Sequence, residues 1–206
     1  MTIKIIIMDF GGVLATDAPN VFLEELAIKE DLDIEELVAV WREPFAKLLL
    51  GEISEDEFWL QFIDCIGIEK DIDELIKDYK AQIRSYIVWD KALLSYLKEL
   101  REIKPSAKLR VVLVSNNVKE WIDDFTKKHN LLTYLEKTYF SFDMHLKKPD
   151  QEFFSRICLD LGVKPEECIL VDNNQGTIQA AAKLGFKTHQ YTDLDTFKRC
   201  IDETLQ

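Results

Sequence analysis

Three apolar runs of the chain stop on residues that carry charge or hydrogen-bonding groups. Ile5-Ile6-Ile7-Met8 ends on Asp9, with Phe10, Gly11 and Gly12 behind it; Val111-Val112-Leu113-Val114 ends on Ser115-Asn116; Cys168-Ile169-Leu170-Val171 ends on Asp172-Asn173. Lys148, in HLKKPD, lies in the loop just beyond KTYFSF. In an open parallel sheet, ligands sit outside the carboxyl ends of the strands. A ligand there would meet carboxylates, an ammonium, a hydroxyl and amides, a set suited to polar chemistry. Taken singly, each group has a structural explanation: Ser115, Asn117 and Asn174 are natural helix caps, Lys148 a solvated lysine, Gly11-Gly12 a turn. Their arrival at one edge of one sheet argues for a site.

The elements that must position them alternate. Helical periodicity over 90–103, 118–129, 151–162, 177–185 and 194–205 is interleaved with short strand-like runs at 109–115, 137–142, 168–172 and 186–191, and residues 3–9 supply one more strand. Strand and helix in alternation predict an α/β fold, a three-layer Rossmann-like core with a parallel sheet between helices. Residues 18–87 read differently, as consecutive helical segments, one of them opened by a Ser54–Glu57 capping box. The expected division is a core of residues 1–15 and 90–206 with an inserted helical cap at 16–89. The cap leaves the chain directly after the Asp9 turn, and both its ends must return to the sheet, so it is expected to close over the sheet edge and exclude water. Trp41, Phe45, Phe58 and Trp59 fall at helical spacing and are read as the cap's own core.

Composition bounds the partners. The chain has 206 residues, 47% hydrophobic and 31% charged, as suits a soluble globular protein. Lys and Arg total 26 against 38 Asp and Glu, a formal charge of −12. Such a surface repels nucleic acid and anionic membranes, so neither is expected as a partner, and an anion site must work through local donors. The N-terminal apolar run is too short for a signal peptide and stops at Asp9, which predicts a cytoplasmic location. Cys65, Cys158, Cys168 and Cys200 show no metal or redox spacing and are read as buried free thiols. His129, His145 and His189 are scattered and are read as surface or turn residues.

MDFGGVL, VVLVSNN, HLKKPD and ILVDNNQGTIQAAAKLGF, in this order with a helical insert after the first, resemble the four motifs of the haloacid dehalogenase superfamily, whose members are mostly phosphatases. The resemblance covers the core, and the insert resembles that family's smaller cap type. It implies that Asp9 is a nucleophile that attacks phosphorus to give an aspartyl-phosphate, later hydrolysed by water. It implies that Gly11 and Gly12 let backbone N–H groups approach the phosphoryl oxygens, that Ser115 and Asn116 bind another, and that Lys148 neutralises charge on phosphate and Asp9. A Mg²⁺ ion would sit between Asp9, the carbonyl of Gly11, and Asp172-Asn173, and the substrate would be a small phosphate ester.

Two positions depart from the family's usual pattern. Gly11 stands where most relatives carry a second aspartate that protonates the leaving group, and Asn173 stands where the second acid of a pair often binds the metal. A phosphatase lacking that acid is expected to favour leaving groups that need little protonation, such as those of a sugar 1-phosphate or acyl phosphate. Two other readings remain open from the residues. Metal-independent 2-haloacid dehalogenases of the superfamily also lack the second aspartate; Asn174 falls where they have an asparagine, and Arg42 lies in the cap that supplies their halide-contacting arginine. A binding protein on a weakened phosphatase frame is the third.

Overall fold

A computed structural model describes residues 2–68, 71–103, 109–129 and 135–204, of which 101–103 as backbone alone. Five strands, β1 (Ile5–Met8), β2 (Arg110–Ser115), β3 (Lys137–Phe140), β4 (Cys168–Asp172) and β5 (Lys187–Gln190), form one sheet in the order β3-β2-β1-β4-β5, every pair parallel. Ten helices accompany it among the described residues: α1 (Ala18–Glu30), α2 (Ile34–Leu49), α3 (Glu55–Ile66), α4 (Ile72–Ser85), α5 (Lys91–Ile103), α6 (Lys119–Lys128), α7 (Ser141–Met144), α8 (Gln151–Leu161), α9 (Gln175–Lys183) and α10 (Leu194–Thr204). This is the expected three-layer α/β fold.

Its layers follow from the apolar runs. β1 is buried at every residue, so both of its faces need a covering layer. Ile5 and Ile7 point with Val112, Val114 and Leu170 into a cluster with Phe153, Phe154 and Ile157 of α8. Ile6 and Met8 point the other way, with Leu113 and Val171, onto Leu97 of α5, Phe125 of α6 and Phe197 of α10. The register sets Met8 level with Val171 of β4 and Leu113 of β2. Asp9 therefore emerges beside Asp172.

Two elements differ from the sequence expectation. KTYFSF is strand only to Phe140, and Ser141–Met144 turn into α7. The Ser141 hydroxyl donates to the Leu49 carbonyl at 2.5 Å and accepts from the Asn117 N–H at 3.2 Å, partners remote in sequence that draw the chain out of the sheet. Helix α9 starts at Gln175, before the expected Thr177, because the Asn174 side chain caps it by accepting from the Thr177 N–H at 3.0 Å. Leu205, the last residue of the final expected helix, lies outside the described residues.

Helices α1–α4 follow β1 and pack on one another around Phe22, Trp41, Phe58, Trp59, Phe62 and Tyr79. Val118 and Trp121 at the start of α6 join this cluster and tie it to the sheet layer. The chain enters and leaves these helices side by side: Asp90 N–H donates to the Leu14 carbonyl at 2.9 Å, Thr16 N–H to the Val88 carbonyl at 3.0 Å, and Ala15 bridges Trp89 antiparallel. No helix among the described residues is long and apolar enough to cross a membrane. Cys158 and Cys168 are buried, but Cys65 is exposed and Cys200 half-buried, which corrects the reading of four buried thiols. Cys65 sits on the outward side of α3, whose inward side carries Phe58, Trp59 and Phe62.

One buried carboxylate links these helices to α6. Glu55, 3% exposed, accepts from Arg84 Nη1 at 2.8 Å and Nη2 at 2.7 Å, from the Trp59 indole at 3.3 Å and from the Trp121 indole at 2.7 Å. Arg84 continues to Asp124 of α6 at 2.7 Å. Four donors satisfy the buried charge; deleting it takes the acceptor from both indoles and from two N–H groups of Arg84, which keeps only the Lys80 carbonyl and Asp124. Glu55→Ala is expected to cost about 3–5 kcal/mol in chemical denaturation, and Glu55→Gln less, because its amide oxygen still accepts from the indoles.

Candidate active site

β1 and β4 deliver two carboxylates side by side, and a third segment brings the cation between them. Lys148 Nζ lies 2.6 Å from Asp9 Oδ1 and 2.7 Å from Asp172 Oδ2. All three side chains are buried: Asp9 is 8%, Lys148 6% and Asp172 0% exposed. Lys148 reaches this point because Asn116, at the end of β2, grips its backbone: Asn116 Oδ1 accepts from the Lys148 N–H at 2.8 Å, and Asn116 Nδ2 donates to the Lys148 carbonyl at 2.9 Å. The Lys148–Pro149 bond beyond it is cis. Asp172 is held in turn by the Asn174 N–H, 2.8 Å from Oδ1.

The three charges sum to −1. Burial pushes the Asp9 carboxyl up to about 6, and the negative charge of Asp172 adds to the rise while Lys148 opposes it. Burial alone would lower the Lys148 ammonium; the two carboxylates outweigh it and hold its pKa above the ordinary lysine value, so it stays charged. Burial, and then the sharing of one cation between two anions, is why Asp9 remains disfavoured as an anion although it is ion-paired.

Other expected site residues fall in less direct places. Ser115 is 1% exposed, and its hydroxyl is 3.4 Å from both the Asn117 amide nitrogen and the Asn116 carbonyl, so it braces the strand end beneath the cleft. The Asn116 side chain is committed to Lys148, a positioning role that the sequence reading did not see. Gly12 differs from expectation as well: its N–H donates to the Ala15 carbonyl at 2.7 Å and is not free for an anion. Its φ of 77° and the Asn173 amide, 2.1 Å from where a Cβ would stand, make glycine obligatory there. The Phe10 N–H is taken by Asp9 Oδ1 at 2.6 Å. Among the described residues the Gly11 N–H and carbonyl and Asp9 Oδ2 have no hydrogen-bond partner.

Above this floor opens a cleft of roughly 800 Å³ between the sheet edge and helices α1 and α2, lined by Asp9, Gly11, Lys148 and Asn173 below and by Trp41 and Arg42 above. Phe45 also reaches it, while Phe58 and Trp59, both 0% exposed, are core as read from the sequence. Trp41 does both: it is 5% exposed, packed on Phe58, and still a wall of the cleft. Asp17 and Thr16, at the entry to α1, line the cleft as well. No spacing rule ties them to Asp9.

The five-stranded parallel sheet and the charged trio at its edge define a three-layer α/β protein with a polar site at the strand ends, and comparison gives the family. The description of the haloacid dehalogenase-like hydrolases matches residues 3–185. The chain belongs to that family and is a hydrolase. It is 30% identical over 197 residues to a D-ribitol-5-phosphate phosphatase of Bacteroides thetaiotaomicron, covering 91% of each chain. Among solved structures, a haloacid dehalogenase family enzyme from the same organism, in complex with magnesium and inorganic phosphate, superposes with a TM-score of 0.72 at 25% identity over 92% of this chain and 94% of that one. An L-2-haloacid dehalogenase of Xanthobacter autotrophicus shares the fold, with a TM-score of 0.64 at 20% identity over 100% of this chain and 85% of that one.

The charge imbalance has a measurable sign. The folded Asp9 holds its proton up to about pH 6, the unfolded one only to 3.8, so between these values the folded state binds more protons and stability falls as pH rises. In a metal chelator, Asp9→Asn is expected to melt higher than the parent above about pH 6, with the difference closing by about pH 4. Equal melting temperatures across that range would contradict the buried negative excess.

Proposed function

We propose that the protein is a Mg²⁺-dependent phosphatase that hydrolyses a small phosphorylated metabolite through an aspartyl-phosphate on Asp9. The observation that carries this reading is the Lys148 ammonium, 2.6 Å from Asp9 Oδ1 at the floor of the cleft. It leaves Asp9 Oδ2 as the free oxygen of the pair, able to attack phosphorus while Oδ1 stays pinned by Lys148 and the Phe10 N–H. The Gly11 N–H is a backbone donor available to a phosphoryl oxygen, and Lys148 balances the charge that builds as the anionic ester meets the carboxylate. Asn116 and Asp172 serve by holding Lys148 at that point, and Ser115 by bracing the end of β2.

A site of net charge −1 repels a phosphate dianion, so a further cation is needed. The donors present beside the Asp9 carboxylate suit a hard one: the Gly11 carbonyl and the Asn173 amide both offer oxygen, and water completes such a shell. Asp172 fits as a partner of Lys148 more than as a direct ligand, since Lys148 and Asn174 occupy its two oxygens. When bound, Mg²⁺ supplies the positive charge that brings nucleophile and phosphate together.

The relative from Bacteroides thetaiotaomicron, named for D-ribitol 5-phosphate, puts polyol and sugar phosphates first among substrates to try. Helices α1–α4 act in this reading as a cap over the sheet edge, hinged at the paired entry and exit strands. The free cysteines support a reducing, cytoplasmic setting.

Assay of a phosphate-monoester panel with Mg²⁺ and with chelator tests the proposal. Phosphate release is expected with Mg²⁺ alone, is expected to vanish in Asp9→Asn, and to fall on the order of 10²–10³-fold in Lys148→Met. Turnover undiminished in chelator, or metal-free release of chloride from 2-chloropropionate, would replace this assignment.

A further inference from the structure

Expelling an aliphatic alkoxide from phosphorus requires a proton at the departing oxygen, and water attack on an acyl phosphate requires a base. Gly11 has no side chain for either task. Among the described residues three carboxyl groups line the cleft: Asp9, Asp17 and Asp172. Asp9 is the nucleophile of the reading above. Asp172 is 0% exposed, with one oxygen on Lys148 and the other on the Asn174 N–H. Asp17 is the carboxyl left over.

The chain geometry brings Asp17 to the vacated place. The turn after Asp9 closes on itself: Ala15 N–H donates to the Phe10 carbonyl at 2.8 Å and Gly12 N–H to the Ala15 carbonyl at 2.7 Å. Residues 10–15 thus loop back, and Asp17 returns beside Gly11. A Cβ on Gly11 would stand 4.0 Å from Asp17 Oδ1, with nothing but Asp17 itself within that distance. The Asp17 carboxyl therefore occupies the space that an acidic side chain at position 11 would enter.

Asp17 is also released from the usual duty of its position. It precedes α1 as N-cap, where an aspartate normally accepts from the second or third backbone amide of the helix. Pro19 removes one of those amides. The Asp17 side chain makes no cap bond; its Oδ2 accepts instead from the Asn20 side-chain amide at 2.8 Å, and its Oδ1 has no hydrogen bond among the described residues.

We infer that Asp17 is the catalytic acid and base of this site, and that the substrate is a phosphate monoester of an aliphatic alcohol, a class wider than the activated esters that Gly11 alone would allow. The inference rests on the phosphatase reading. In the first half-reaction Asp9 Oδ2 forms a bond to phosphorus, the ester P–O bond breaks, and the Asp17 proton passes to the departing oxygen, releasing the neutral alcohol. In the second, water adds to phosphorus, its proton returns to Asp17, and the bond between Asp9 and phosphorus breaks, releasing inorganic phosphate and both carboxyl groups in their starting states.

Pre-steady-state kinetics of Asp17→Asn with Mg²⁺, on ribitol 5-phosphate and on p-nitrophenyl phosphate, tests this. Alcohol release from the aliphatic ester is expected to slow about 10²–10⁴-fold from the first turnover. p-Nitrophenolate leaves without a proton, so it is expected to appear as a burst of one equivalent at near the parent rate, followed by slow turnover as the phosphorylated Asp9 waits for a base. Gly11→Asp in the Asp17→Asn background is expected to recover aliphatic turnover, which separates a missing acid from a damaged fold. Unchanged aliphatic turnover in Asp17→Asn, equal slowing of both esters in the first turnover, or no recovery in the double variant would overturn the role of Asp17 and leave the Asp9 reading standing. A parent that releases phosphate from neither ester would remove both.

Discussion

One ammonium between two carboxylates is the constraint on which the site depends. β1 and β4 are neighbours in register, so the residues that follow Met8 and Val171 emerge as adjacent aspartates, on strands spaced about 4.8 Å apart. Two buried anions at that spacing repel strongly, because little solvent screens them. Lys148 makes the arrangement tolerable, and its placement recruits the neighbouring strand end: the Asn116 amide holds both the N–H and the carbonyl of Lys148. Ser115 beneath it and Asn174 beside Asp172 complete the frame. Every strand end near the centre of the sheet is thereby committed to one charged trio, and the trio still carries a net negative charge. That excess, with burial, holds the Asp9 carboxyl above the ordinary aspartate value.

The turn after Asp9 performs three tasks in seven residues. Gly12 adopts a left-handed backbone and lets the Asn173 side chain pack where a Cβ would clash. The hydrogen bonds among Phe10, Gly12 and Ala15 close the loop and carry the chain back over its own start. Leu14 and Thr16 then pair with Val88 and Asp90, so the helices α1–α4 hang from two adjacent strands. The attachment point lies next to Asp17 and Gly11.

Those helices are anchored to the sheet layer at a second place. Their aromatic cluster extends onto Trp121 of α6, and Glu55 and Arg84 tie α3 and α4 to the Trp121 indole and to Asp124. α7 adds a second tether, since Ser141 and His145 bond to the carbonyls of Leu49 and Leu50 at the end of α2. The cleft is bounded by a wall that is itself packed core: Trp41 shows one edge to the ligand space and the rest to Phe58 and Phe62.

The parallel sheet, the helical insert and the positions of Asp9, Lys148 and Asp172 at one edge were legible in the sequence, because each rests on a local pattern. An apolar run reads as a buried strand, its end marks the sheet edge, and helical periodicity over 18–87 marks the insert. Hydrogen-bond partners are not local. Whether the Gly12 N–H faced a ligand or Ala15, whether Asn116 bound phosphate or the Lys148 backbone, and whether Asp172 met a metal or Lys148 depended on which segments came within 3 Å of one another. The same holds for KTYFSF, cut short at Phe140 by a hydroxyl that binds α2, and for Asp17, which looks like a helix cap until the turn returns it to Gly11. By itself the sequence determined which groups reach the sheet edge, since strand polarity and periodicity are written in consecutive residues. The tertiary structure decided what each group does there, since a polar side chain takes its role from the partner that satisfies it, and that partner is set by chain closure over long separations.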